Sequence, residues 1–237
     1  MSKKVKSLLL VLCALVFAVA GVFATLAYLQ DETQEIDNTM TVGDVDITLD
    51  ETKITYDEYF EPTENGKTTE GNTYNLVPGV TYKKDPVVHV LAKSEPAYVF
   101  VRIINEIAAI EEKDPAGTTI ADQMAALGWV EVKTANNIPG LVNDYEGLYV
   151  YNKTDVVDKP YIVNAKNSAA NIDLAVFNEF TIDEAINNYG EGEGDPNLFD
   201  YKDKSVKIKA FAIQAAGGVN IETAAAQAKA AFDAADE

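Results

Sequence analysis

The chain opens on one long apolar run and then breaks into short stretches in which hydrophobic and polar positions alternate. No charged residue occurs from Ser7 to Leu29, and Lys3, Lys4 and Lys6 precede the run. A basic start, an apolar centre and small residues at a cut site form the pattern of a secretory signal peptide. Both Ala18-Val19-Ala20 and Thr25-Leu26-Ala27 place small residues at the −3 and −1 positions of a cut. An uncleaved anchor is the competing reading, because an uncharged stretch of this length can cross the roughly 30 Å hydrocarbon core. In either reading the lysines stay on the cytoplasmic side and the rest of the chain goes outside.

Past the run, Val42, Val45, Ile47 and Leu49 alternate with polar residues, and Ile54, Tyr56 and Phe60 follow. Alternation of this kind predicts half-buried strands. Residues 62–75 are polar and carry glycine, which predicts a loop. Pro78-Gly79 predicts a turn, since proline presets φ and glycine accepts a positive one. A strand is expected from Val87 to Leu91. The next, from Ala97 to Ile104, is β-branched or aromatic almost throughout, as a central strand buried on both faces requires. The composition changes in the middle of the chain. Ile107 to Glu112 and Thr118 to Leu127 suit helices, with Asp114-Pro115 as a breaker between them and Gly128 as a stop. Strands are expected again at Trp129 to Val132, Leu148 to Tyr151, Tyr161 to Val163, Ile172 to Phe177 and Phe180 to Ile182. Residues 190–197 read as an exposed acidic loop. Val206 to Ile213 alternates as the last strand, and Asn220 caps an alanine-rich helix through about Ala235, with Glu222 in its first turn.

Eight or nine strands separated by turn signals predict a mainly β fold, a jelly roll or β-sandwich, with short inserted helices and a C-terminal helix. The expected organisation is a signal at 1–27, an N-terminal segment at 28–38 and a sandwich domain at 39–237. The domain carries a helical insertion near 105–128 and its last helix at 220–235.

Charge narrows the partners. The chain has 19 basic and 38 acidic residues, and loss of residues 1–27, with three lysines and no acid, moves the net charge from −19 to −22. Nucleic acid and anionic lipid both need a basic footprint, so neither is an expected partner; the membrane enters only through an uncleaved signal. The single cysteine, Cys13, lies inside the signal, so packing rather than disulfides must hold the exported domain. Leu12 before it is not the small residue of a lipoprotein cut.

Candidate chemistry is sparse. His89 is the one histidine, no HExxH or GxSxG is present, and no second His or Cys could complete a ligand set or a triad. Asp44 with Asp46, and Glu191 with Glu193 and Asp195, could offer oxygens to calcium, although neither has the spacing of an EF-hand loop. Trp129 and the twelve tyrosines could stack on glycans, or serve as core and cross-strand packing. No catalytic residue, metal or cofactor is expected.

Several blocks resemble the TasA/camelysin family of Gram-positive bacteria, exported with the help of the signal peptidase SipW. They are the signal ending Ala24-Thr25-Leu26-Ala27-Tyr28-Leu29-Gln30-Asp31, the run from Asn38 to Glu51, the run from Leu76 to Pro86, Tyr98-Val99-Phe100-Val101, and Ala210-Phe211-Ala212-Ile213-Gln214-Ala215. The resemblance implies a jelly roll, cleavage between Ala27 and Tyr28, and a secreted subunit of an extracellular matrix or cell-surface fibre. It also implies self-assembly, with or without other matrix proteins, in which the freed segment from Tyr28 to Asn38 adds a strand to the next subunit. Tyr28, Leu29 and Ile36 are its apolar residues. A monomeric surface binding module or adhesin is the alternative expectation, and a camelysin-like metalloprotease a weaker one.

Overall fold

A computed structural model describes residues 44–58, 61–114, 118–152, 161–186 and 197–235. The fold is mainly β, as expected, and its strands pair antiparallel throughout. One sheet contains β1 (Ile47–Tyr56), β2 (Pro62–Thr68), β4 (Val87–Val90) and β8 (Ile172–Ala175) in the order β2-β1-β4-β8. The other contains β5 (Ala97–Asn105), β6 (Trp129–Glu131), β7 (Leu148–Tyr151) and β10 (Val206–Gln214) in the order β10-β5-β7-β6. A small third sheet pairs β3 (Thr81–Lys83) with β9 (Glu179–Thr181). The helices are α1 (Ile120–Ala126) and α2 (Ile221–Ala234).

The near-continuous apolar run of β5 has its explanation in two cores. Val99 and Val101 face the main core, with Val88 and Val90 of β4, Leu174 of β8 and Trp129. Phe100, between them in sequence, points the opposite way and packs with Leu148 and Val150 of β7 against Ala224, Ala225, Ala228 and Phe232 of α2. Period-two alternation therefore places apolar residues in both directions, because one face of β5 meets a sheet and the other a helix. The small alanines let α2 lie close on that sheet.

Helix α2 begins where expected: Asn220 Oδ1 accepts the Thr223 N–H at 2.9 Å. Thr119 caps α1 in the same way, accepting the Asp122 N–H at 3.2 Å. Gly128, directly after α1, has φ +95°, and a Cβ there would stand 3.1 Å from the Asn152 carbonyl oxygen. The Pro78-Gly79 turn closes with the Val80 N–H on the Val77 carbonyl at 3.2 Å.

Three expectations need correction. Pro62–Thr68, read as loop, is strand β2 against β1. Its side chains are exposed, so no hydrophobic alternation marks it; backbone pairing and the Thr55–Thr63 hydroxyl pair at 2.8 Å hold it. Ile107 to Glu112, read as helix, is turn followed by a β-bridge from Glu111 to Ile182. Asn105 Oδ1 captures the Ile107 N–H at 3.1 Å, and the buried Glu111 carboxylate caps α1 through the Ile120 N–H at 2.8 Å. Tyr161 to Val163 contributes only a bridge from Val163 to Ala97 rather than a strand.

Candidate functional site

The ladder between β10 and β5 determines which way each peptide group of β10 points. Ala215 N–H donates to the Pro96 carbonyl at 2.7 Å, and Glu106 N–H to the Ser205 carbonyl at 3.1 Å. In antiparallel pairing, hydrogen-bonded residues alternate with residues whose N–H and C=O point away. The odd-numbered residues of β10 thus serve β5, and Val206, Ile208, Ala210, Ala212 and Gln214 direct their peptide groups outward. Strand β10 ends its sheet, and among the described residues no strand takes up those groups.

Part of β1 has the same property. Leu91 N–H donates to the Asp46 carbonyl at 2.9 Å, so Asp46, Thr48 and Asp50 serve β4. Ile47 and Leu49 then point the other way, and β2 pairs with β1 only from Glu51 onward. Leu49, Asp50 and Glu51 line a cavity of about 320 Å³ whose opposite wall is Val206, Lys207, Ile208 and Lys209. A larger cavity of about 830 Å³ adjoins it, and the two share Glu70, Gly71, Lys84, Val206 and Lys207. A groove thus runs beside the open edge of β10, with the open stretch of β1 facing it. Its floor includes Val206 and Ile208, which are half-buried and pack toward the main core. Lys202, Lys204, Lys207 and Lys209 line its rim on one side with Asp203 among them, and Asp50, Glu51 and Glu70 also belong to the lining. Lys204 also meets Glu106 at 3.6 Å, and Lys209 Nζ donates to the Ala235 carbonyl at 3.2 Å.

Lys84 lies between the two cavities. It is 6% exposed, and its Nζ meets Glu51 Oε2, itself on a residue 5% exposed, at 2.6 Å. The other carboxylate oxygen accepts Asn72 Nδ2–H at 2.8 Å, Nδ2 also donates to the Thr52 carbonyl at 2.8 Å, and Asn72 Oδ1 accepts the Ile54 N–H at 2.7 Å. Tyr74 and Phe180 line the groove and meet edge-on at 5.3 Å, and the buried Tyr82 stacks on Phe180 at the same distance. Burial, then the Glu51 charge, pushes the Tyr74 phenol up. Asp85 closes one end of this network. Burial opposes its ionisation, but hydrogen bonds from the Thr52 hydroxyl and N–H, with Lys67 and Lys83 nearby, hold its carboxyl below the usual range.

His89 on β4 sits between two carboxylates, Nδ1 at 2.6 Å from Asp173 of β8 and Nε2 at 3.0 Å from Asp50 of β1. This arrangement ties three neighbouring strands together across one sheet face. Among the described residues no group of three or more His, Cys, Asp or Glu side chains is arranged to hold a metal ion. Asp46 is used through its backbone, its N–H on Ser94 Oγ at 3.2 Å. Trp129 is 2% exposed and donates its indole N–H to the Ala175 carbonyl at 2.8 Å, so it is core and offers no stacking surface. Ala27, Tyr28, Leu29, Ile36 and the loop with Glu191, Glu193 and Asp195 lie outside the described residues.

Sequence reasoning missed the groove. The only linear signal was the cluster of lysines from 202 to 209 in a chain of opposite charge. The Lys84–Glu51–Asn72 contact left no signal, because the three residues come from separate segments. No family model, curated protein or solved structure matches this chain.

Proposed function

We propose that the chain is a secreted structural subunit of extracellular matrix or cell-surface fibres in a Gram-positive bacterium, assembling by N-terminal strand donation. The observation that carries this reading is the pair of strand edges left unpaired among the described residues, on β10 and on the start of β1, beside one apolar-floored groove. Open edges are templates for a further strand, and strand addition is an established mode of peptide capture. The occupant is the N-terminal segment of a second copy. From Tyr28 to Asn38 the sequence has Asp31, Glu32, Glu35 and Asp37 and no lysine or arginine. That charge complements the lysine rim, which steers association and disfavours wrong partners. Backbone hydrogen bonds supply the register, and Tyr28, Leu29 and Ile36 are the side chains available for the floor. The blocks that resemble the TasA/camelysin family support the same reading, and self-association needs no cofactor.

The test compares purified residues 28–237 with a chain beginning at Thr39, both imaged by electron microscopy. Fibres from the longer chain and none from the shorter are expected. Fibres from neither, or equally from both, would remove the strand-donation reading.

A further inference from the structure

We propose that Lys84 and Asn72 join in a spontaneous intramolecular isopeptide bond, with Glu51 carrying the protons. The proposal stands on the buried triad and does not depend on fibre assembly. One carboxylate clasps both nitrogens, Lys84 Nζ at 2.6 Å on Oε2 and Asn72 Nδ2 at 2.8 Å on Oε1. Lys84 and Glu51 are 6% and 5% exposed, and an ion pair so far from water is costly to keep. In the reaction Glu51 takes one proton from the Lys84 ammonium, which leaves a neutral amine. The amine is then a nucleophile bound to the same carboxylate as the Asn72 amide.

The amide is polarised for attack. Asn72 Oδ1 accepts the Ile54 N–H at 2.7 Å, which places a fixed donor where negative charge develops. The opposite end of the amide, Nδ2, faces the carboxyl group that can protonate it. Lys84 Nζ bonds to Asn72 Cγ and the Cγ–Nδ2 bond breaks. Of the three ammonium protons, one stays on the new amide and two pass through Glu51 to the departing nitrogen. That nitrogen leaves as ammonium through the adjoining groove, and Glu51 returns to carboxylate. No oxidant, metal or other reactant is consumed. The new bond ties the segment after β2 to the segment before β4, a covalent staple in a chain whose only cysteine is Cys13.

Mass spectrometry of the folded full-length protein tests this directly. The expected mass is lower than the sequence requires by one ammonia. Trypsin is expected to leave the bond after Lys84 uncut, and fragmentation to show a branched peptide joining Lys84 to Asn72. Glu51→Gln should restore the sequence mass and the tryptic cut. Lys84→Arg, which keeps the cation opposite Glu51, supplies the unlinked folded reference. Folded wild-type protein at the sequence mass would overturn the proposal. Loss of ammonia without the branched peptide would overturn it too, since an asparagine succinimide gives the same mass change.

Discussion

The ring of Phe232 on α2 meets the ring of Phe211 on β10 edge to face, with centroids 6.2 Å apart and planes at 69°. This contact joins the last helix to the strand that borders the groove. Phe232 is 4% exposed, and Arg102 of β5 reaches the next residue, Asp233, at 2.7 Å. Phe232→Ala removes a buried ring, so a loss of about 3 kcal/mol is expected. Urea denaturation monitored at Trp129, in the main core, measures it.

Glu222 anchors the other end of α2. Its carboxylate accepts the Val142 N–H at 2.8 Å and the Tyr145 hydroxyl at 2.7 Å, together with the Asn143 amide. These bonds hold its carboxyl at about 2, below the ordinary 4.5. A depressed folded-state value stabilises above the unfolded value, and the contribution disappears as pH falls through the folded one. The melting temperatures of wild type and Glu222→Gln should therefore differ most above pH 4.5 and converge toward pH 2. In the same cluster burial, then the hydrogen bond to Glu222, pushes the Tyr145 phenol up to about 12. Ultraviolet titration should show this tyrosine ionising at higher pH in wild type than in Glu222→Gln.

Proline separates the two edges of β10. Residue 210 directs its N–H away from β5, whereas residue 207 donates toward Ile104. Ala210→Pro should leave the domain folded and abolish fibres, because only the open edge loses a donor. Lys207→Pro breaks a ladder hydrogen bond and should destabilise by about 1–3 kcal/mol. Circular dichroism melts paired with electron microscopy distinguish the two outcomes.

If the acidic N-terminal segment pairs with the lysines of the groove, as proposed, assembly is sensitive to salt. The screening length falls from about 30 Å at 0.01 M to about 3 Å at 1 M ionic strength. Fibre growth followed by light scattering should slow across that range. The double change Lys207→Glu and Lys209→Glu should slow it already at low salt, and a growth rate indifferent to both would exclude the charge pairing.

If the N-terminal run is a cleaved signal, the exported protein has a definite N-terminus. Mass spectrometry of the protein recovered outside the cell should show Tyr28 as the first residue. Val42-bearing fragments beginning at Gly21 would instead place the cut after Ala20.

The strands that could be read in advance were those whose side chains face a core. Leu148–Tyr151 and the strand beginning at Ala97 emerged because alternating or continuous apolar residues follow directly from which faces are covered. Pro62–Thr68 escaped because an edge strand with exposed side chains is held by its backbone, which every sequence shares. Ile107 to Glu112 had helical composition, but Asn105 and the β-bridge at Glu111 took its backbone and carboxylate into other contacts.

By itself, the sequence determined the apolar N-terminal run, the acidic balance, the β class and the capped C-terminal helix, because these depend on local composition and period. Only the tertiary structure decided which peptide groups of β10 and β1 stay open. It alone brought Lys84, Glu51 and Asn72 within one hydrogen-bonded cluster, because register and the meeting of distant segments arise when the sheets pack.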